Sequence, residues 1–302
     1  MESQGPKVVM SLMFFTMSFA FYALAAGFYV GNWVFRKKWI GLIATSLTVV
    51  AALSTTMILV SRAIESGHAP FSNLYESMVL FVWALNVGYL WFELKYKMKV
   101  LGAVIMPITV ASMFAAWMLP YRFKDVGDLN PALQNKWKWM VEFFSKFGLE
   151  KYAIGWLDFH VFTTFVGYAA FAIAFGLAIA YLVRNHYETT GKTNALVSAF
   201  PESKVLDELE YISIAWGFPF LGIGIVSGAV WANAAWGTYW SWDPKETWSL
   251  ITWLIYAAYL HARVTRGWRG TKAAWLSIAG FAAVIFLYWG VSFILPGLHA
   301  YA

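Results

Sequence analysis

The chain has 302 residues, of which 60% are hydrophobic and 13% charged, with a mean hydropathy of +0.59 and a net charge of +6. That balance excludes an ordinary soluble domain, which needs far more polar surface to cover its core, and points to apolar runs that satisfy their backbone as helices inside a bilayer. The absence of cysteine excludes disulfides, thiolate metal sites and covalent thiol chemistry on this chain.

Eight membrane spans are predicted in chain order, near 8–35, 39–60, 77–94, 100–119, 158–183, 211–230, 247–265 and 273–295. The first run is too long for a signal-peptide core and has no small-residue cleavage site ahead of a polar domain, so it reads as a span. Long uninterrupted runs of Leu, Phe, Ile and Ala exclude an outer-membrane barrel, whose strands alternate polar and apolar residues. The fold class is therefore all-α, a polytopic membrane protein, and residues 1–302 read as a single membrane domain without repeats.

The connections sort by charge. Arg36 to Lys38, then Lys95, Lys97 and Lys99, then Arg184, Lys192 and Lys204, then Arg263, Arg266, Arg269 and Lys272 share one side if the spans alternate. An excess of Lys and Arg marks the cytoplasmic side, which places both termini, the loop 120–157 and the segment 231–248 outside. Because the basic residues are spread among short loops, their use is topological, with a lipid bilayer rather than nucleic acid as the partner. The loop 120–157 is basic against that trend, and its stretch "NKWKWMVEFFSKFGL" suits a helix lying on the membrane surface.

Between the sixth and seventh spans lies "WGTYWSWDPKETW" at 236–248. Asp243, Pro244 and Glu246 read as the N-cap, first-turn proline and third-position acid of a capping box that starts the seventh span. The plainer reading of Trp236, Tyr239, Trp240 and Trp242 is an aromatic belt at the membrane interface. A belt needs only scattered rings, however, whereas here they recur within one loop that Gly237 allows to turn.

The histidines bear on the choice. His160 is predicted at the outer end of the fifth span and His299 just past the outer end of the eighth. Two histidines on separate spans at one level, beside an aromatic shelf, are what a flat ligand with two axial bonds requires, and haem is such a ligand. Zinc is the alternative, needing further ligands from Asp158 or Asp243 and giving no use to the tryptophans. His261 lies thirteen residues beyond Trp248, about 20 Å deep, where an ionisable side chain is a functional candidate. His68 and His186 read as interfacial anchors. The glycines of "GIGIVSG" at 222–228 lie inside an apolar span and read as a close helix contact rather than a nucleotide loop.

"WGTYWSWDPKETWSLITWLIYAAYLHAR", with "SGHAPFSNLYES" at 66–77, "FHVFTTFVGYAAF" at 159–171 and the terminal "GVSFILPGLHAY", resembles the haem-handling WWD-domain family of cytochrome c maturation, and within it the CcsA (ResC) family. The resemblance covers essentially the whole chain. It implies that Trp236, Gly237, Tyr239, Trp240, Trp242 and Asp243 form an external haem platform, that His160 and His299 are axial ligands of a bis-histidine haem b, and that His261 is a haem ligand within the membrane. It implies a CcsB (ResB) partner, apocytochrome c as recipient, and haem lyase activity only in complex with CcsB. The setting it implies is a bacterial inner membrane or a thylakoid. A haem transporter without attachment activity and a quinol-oxidising bis-histidine haem protein are the competing functions.

Overall fold

In the computed structural model, residues 6–120, 135–192 and 194–295 are described. Helices α1 (Pro6–Phe35), α2 (Lys38–Ser66), α3 (Leu74–Tyr96) and α4 (Gly102–Met118) make the first group. A short helix α5 (Lys138–Ser145) precedes α6 (Trp156–Thr189), α7 (Ser203–Trp236), α8 (Pro244–Thr265) and α9 (Thr271–Ile285). The last of these continues through a π turn, Phe286–Gly290, into α10 (Val291–Ile294). No strand occurs among the described residues, in agreement with the all-α expectation.

Among the described residues, seven helical segments are long and apolar enough to cross a membrane: Met10–Phe35, Lys38–Ser66, Leu74–Tyr96, Lys99–Met118, Trp156–Thr189, Ser203–Trp236 and Thr271–Ile294. They correspond to seven of the eight predicted spans. The other, α8, is a 22-residue helix whose mean hydropathy is lowered by Lys245, Glu246, His261 and Arg263. It packs against α7 and α9, and its charged end is neutralised there, with Arg263 donating to Asp207 at 2.8 Å and to Glu208 at 3.0 Å. A polar helix of this kind is held by neighbouring helices rather than by its own apolarity.

Hydrogen bonds between connections define two ends of the bundle. At one end Trp33 donates to Leu196 O at 2.8 Å, Arg36 to Ser198 at 2.9 Å, Arg184 to Val197 O at 3.4 Å and Lys99 to Gly41 O at 3.1 Å. Arg263 and Arg269 meet Asp207 and Glu208 at that same end of α7. The basic connections thus gather on one side, as the alternation of spans requires. The opposite end carries the tryptophan-rich loop, the Gly67–Asn73 connection and α5. No residue of α5 is buried, and Trp139 and Phe143 are exposed, which suits a helix on an apolar surface.

Inside the bundle, tyrosines dominate the fully buried large side chains: Tyr22, Tyr29, Tyr89, Tyr256 and Tyr259. Several buried charges are paired, whereas Glu210 of α7 is fully buried with no hydrogen-bond partner for its carboxylate among the described residues. Glu93 accepts from Tyr29 at 2.6 Å, Tyr89 at 2.7 Å and Lys99 at 2.9 Å, tying α1, α3 and the start of α4. Near the tryptophan-rich end, Glu76 of α3 accepts from Arg62 Nε of α2 at 2.8 Å and from the backbone and hydroxyl of Ser72 at 2.9 Å. Leaving a buried carboxylate without its cation costs about 3–5 kcal/mol. Arg62→Met is therefore expected to lower thermal stability in detergent by a loss of that size, and Arg62→Met with Glu76→Leu to recover most of it. Unfolding curves of the purified chain measure both.

Candidate functional site

The longest helix contact in the bundle is between α6 and α7, each 34 residues long. It is close because α7 presents glycine where α6 presents polar side chains: a Cβ on Gly224 would collide with Thr164, and one on Gly228 would lie 2.6 Å from the His160 ring. The "GIGIVSG" glycines are thus a packing surface, as expected from the sequence. They also place the imidazole. His160 Nδ1 lies 2.6 Å from Gly224 O, and since a carbonyl only accepts, Nδ1 carries a proton there. Trp231 lies parallel to the imidazole, at 5° and 6.5 Å between centroids.

A cleft of about 110 Å³ opens beside this histidine. His160, Thr164 and Tyr168 of α6 form one wall, Gly228 and Ala232 of α7 a second, and Lys245, Glu246 and Ser249 of α8 a third. Tyr288 of the π turn closes it, and Tyr239 and Trp240 of the tryptophan-rich loop stand over it. Tyr288 is fixed through its hydroxyl, which donates to Leu74 O at 3.3 Å and shares a hydrogen bond with the Ser77 hydroxyl at 2.7 Å. An apolar cavity of about 310 Å³ shares Phe165, Tyr168 and Tyr288 with the cleft and runs on past Met78, Phe81 and Trp289.

The loop is built from both its ends. Gly237 ends α7 at φ 79°, a left-handed turn that glycine adopts without strain, and its N–H donates to Asn233 O at 2.9 Å. Trp236 meets Trp231 edge to face at 4.9 Å, and Trp240 meets Trp242 edge to face at 5.8 Å. The capping box expected from the sequence is present. Asp243 accepts from Lys245 N at 3.1 Å, while Glu246 Oε2 accepts from Asp243 N at 3.2 Å and Ser241 N at 2.8 Å.

The predicted site residues do not all share one role. Tyr239 and Trp240 line the cleft with His160, and Asp243 is buried beneath the loop. Trp242, at φ 61° and 69% exposed, points outward and is not part of the lining. His261 sits on an exposed stripe of α8 with Leu254 and Val264, while Tyr256 and Tyr259 occupy the buried face of the helix. It is sixteen residues from Lys245, about 24 Å along the axis, so it belongs to a separate place from the cleft. His299 lies outside the described residues.

His186 is exposed near the end of α6. His68, read from the sequence as an interfacial anchor, is instead 5% exposed, with Nδ1 2.8 Å from Ala69 O and no partner for Nε2 among the described residues. Among those residues no three His, Asp or Glu side chains gather as a metal site would require.

Sequence reasoning passed over Thr164, Tyr168, Tyr288 and, above all, Lys245. The lysine lies within the capping-box segment. Burial pushes its amine down from 10.5 to about 8, and the neighbouring Asp243 charge pulls it partly back up.

The model of the family described as "Cytochrome C assembly protein" matches residues 151–299. The "Cytochrome c biogenesis protein CcsA" of Guillardia theta is 40% identical over 285 residues, covering 89% of this chain and 88% of that protein. The protein of the same description from Cyanophora paradoxa is 33% identical over 333 residues, covering 97% of each. Among solved structures, "Cytochrome c Heme Lyase CcmF" is similar in fold, with a TM-score of 0.67 at 18% identity, over 95% of this chain. The chain spans about half, 47%, of that CcmF chain.

The depressed amine is open to measurement. Acylation of Lys245 by an amine-selective reagent, followed residue by residue by mass spectrometry, is expected to titrate with a midpoint near pH 8. Asp243→Asn should move that midpoint lower still, because it removes the charge that favours the ammonium form.

Proposed function

This chain belongs to the CcsA family of cytochrome c biogenesis proteins, and from that premise we propose that it holds haem at the cleft between α6, α7 and α8 and, with a CcsB partner, presents it for attachment to apocytochrome c. The observation that carries the reading is that His160 and the tryptophan-rich loop, far apart in sequence, line one cleft. The residues suit the ligand. The His160 proton sits on Nδ1, bonded to a backbone carbonyl, which leaves Nε2 as the metal-binding atom. Trp240, Tyr239 and Tyr168 supply the flat apolar contact that a porphyrin face takes.

Haem brings the two vinyl groups to which the recipient's Cys-x-x-Cys-His thiols add. The chain, which has no cysteine, contributes position alone. His160 and His299 would hold the iron of a haem b from its two faces, on the outer side of a bacterial inner membrane or a thylakoid. The loop 231–248 would hold the plane of the ring, with Trp236 buttressing Trp231 behind His160 and Asp243 fixing the start of α8. The loop 120–157, with α5 on the bilayer surface, would border the same outer face.

His261, on an exposed stripe about 24 Å along α8 from Lys245, would bind a second haem within the membrane and share it with a histidine of CcsB. Its exposure supports that division, since a ligand whose partner lies on another chain must face outward from its own. Competing readings as a transporter or a quinol oxidase draw on no feature of the cleft that attachment does not also use.

Two experiments test this. His160→Ala and His299→Ala are each expected to abolish holocytochrome c formation by the CcsA–CcsB pair while leaving membrane insertion intact, with partial restoration by added imidazole. Normal cytochrome assembly by both variants would refute the external site. For the membrane site, His261→Ala should strip the haem that co-purifies with the complex, as read from the reduced absorption bands, and His186→Ala should not. Equal loss in the two variants would mean that both ligands lie on this chain.

A further inference from the structure

The two propionates of haem lie on one edge of the ring and its two vinyl groups on the opposite edge. The cleft, at about 110 Å³, admits an edge of such a ring rather than the whole of it. The lining therefore decides which edge enters. Its α6 wall offers an imidazole, a threonine hydroxyl and a tyrosine, and its α7 wall offers only glycine, alanine and aliphatic side chains. On the α8 wall, one turn of helix sets Lys245, Glu246 and Ser249 against the opening. Among the described residues lining the cleft, Lys245 is the one cation apart from the titratable His160.

The acids beside it cap the helix. Glu246 Oε2 accepts from Ser241 N at 2.8 Å, Ser241 Oγ at 3.2 Å and Asp243 N at 3.2 Å, so its charge is spread into the loop backbone. Asp243 is buried and turned to the α8 N-terminus, where it accepts from Lys245 N. An ammonium in a half-buried position gains from a second carboxylate far more than an exposed one does, because burial has already removed much of its water.

We propose that Lys245 is the propionate-binding residue of this site, drawing the carboxylate edge of haem toward α8 and so turning the vinyl edge away from it. The proposal rests on the haem reading of the cleft. It gives the start of α8 two jobs, since Asp243 and Glu246 cap the helix while Lys245, between Pro244 and Glu246, fixes the orientation of the cargo. It also gives a chemical reason for orientation: the edge that must meet the recipient's thiols is the uncharged one, and the charged edge is the one a cation can retain.

The test compares haemin with its dimethyl ester, in which both carboxylates are capped, by absorption titration of the full chain purified in detergent. Wild type is expected to bind haemin about tenfold more tightly than the ester, as one charge-assisted contact would give. Lys245→Gln should weaken haemin by that factor and leave the ester unchanged, and Lys245→Arg should bind haemin as wild type does. A Lys245→Gln variant that loses both ligands equally, or neither, overturns the proposal. His160→Ala is expected to weaken both ligands alike; if it weakens neither, the haem reading of the cleft fails, and the assignment of Lys245 fails with it.

Discussion

The site depends on how closely α6 and α7 approach. In a bilayer, helices gain nothing from leaving water, so they associate through van der Waals contact and hydrogen bonds, and small residues set the distance. Gly224 and Gly228 do so here, and the consequence is chemical as well as structural. Because α7 lies against the His160 ring, the Gly224 carbonyl is within reach of Nδ1 and keeps a proton there. A side chain at Gly228 would displace the imidazole, and any widening of the contact would release that hydrogen bond. One feature of packing thus fixes the ring and one wall of the cleft.

The second constraint is the cost of polar groups in an apolar solvent. In three places the chain meets it by pairing: Glu93 with Lys99 and two tyrosine hydroxyls, Glu76 with Arg62, Asp207 with Arg263. These clusters sit toward the ends of the helices, where they join neighbouring elements. Two groups belong to the candidate sites instead. Lys245 is held beside Asp243 yet faces the cleft, and His261 is turned outward from a helix whose other face is buried.

Much of this was legible in the amino-acid sequence, for definite reasons. Hydropathy located all the long helices because a bilayer demands long apolar runs, and the capping box at Asp243 was readable because capping is local chemistry. The resemblance to the CcsA family rested on long stretches of matching residues and agrees with the relatives found. What sequence could not supply was three-dimensional assignment within the motif. Trp240 and Trp242 are two residues apart and looked equivalent, but the left-handed conformation at Trp242 sends its ring outward while Trp240 enters the lining. His68 looked interfacial and is buried, because the Gly67–Asn73 connection folds inward instead of lying on the surface. The π turn at Phe286–Gly290, which aims Tyr288 at the cleft, has no signature in a 3.6-residue periodicity.

The polarity of α8 then acquires a meaning that hydropathy alone would treat as a defect. At one end it is anchored by the Asp243–Glu246 capping box, and at the other by Arg263 against Asp207 and Glu208. Between those anchors the helix is continuous, so Lys245 and His261 are set by one rigid element rather than by two loops. A more apolar helix would cross a bilayer more readily and would carry neither. The charged anchors hold at fixed positions a helix that its own composition would not secure in the membrane, and the side chains that make the helix too polar are the ones that face the cleft at one end and the outside of the bundle at the other.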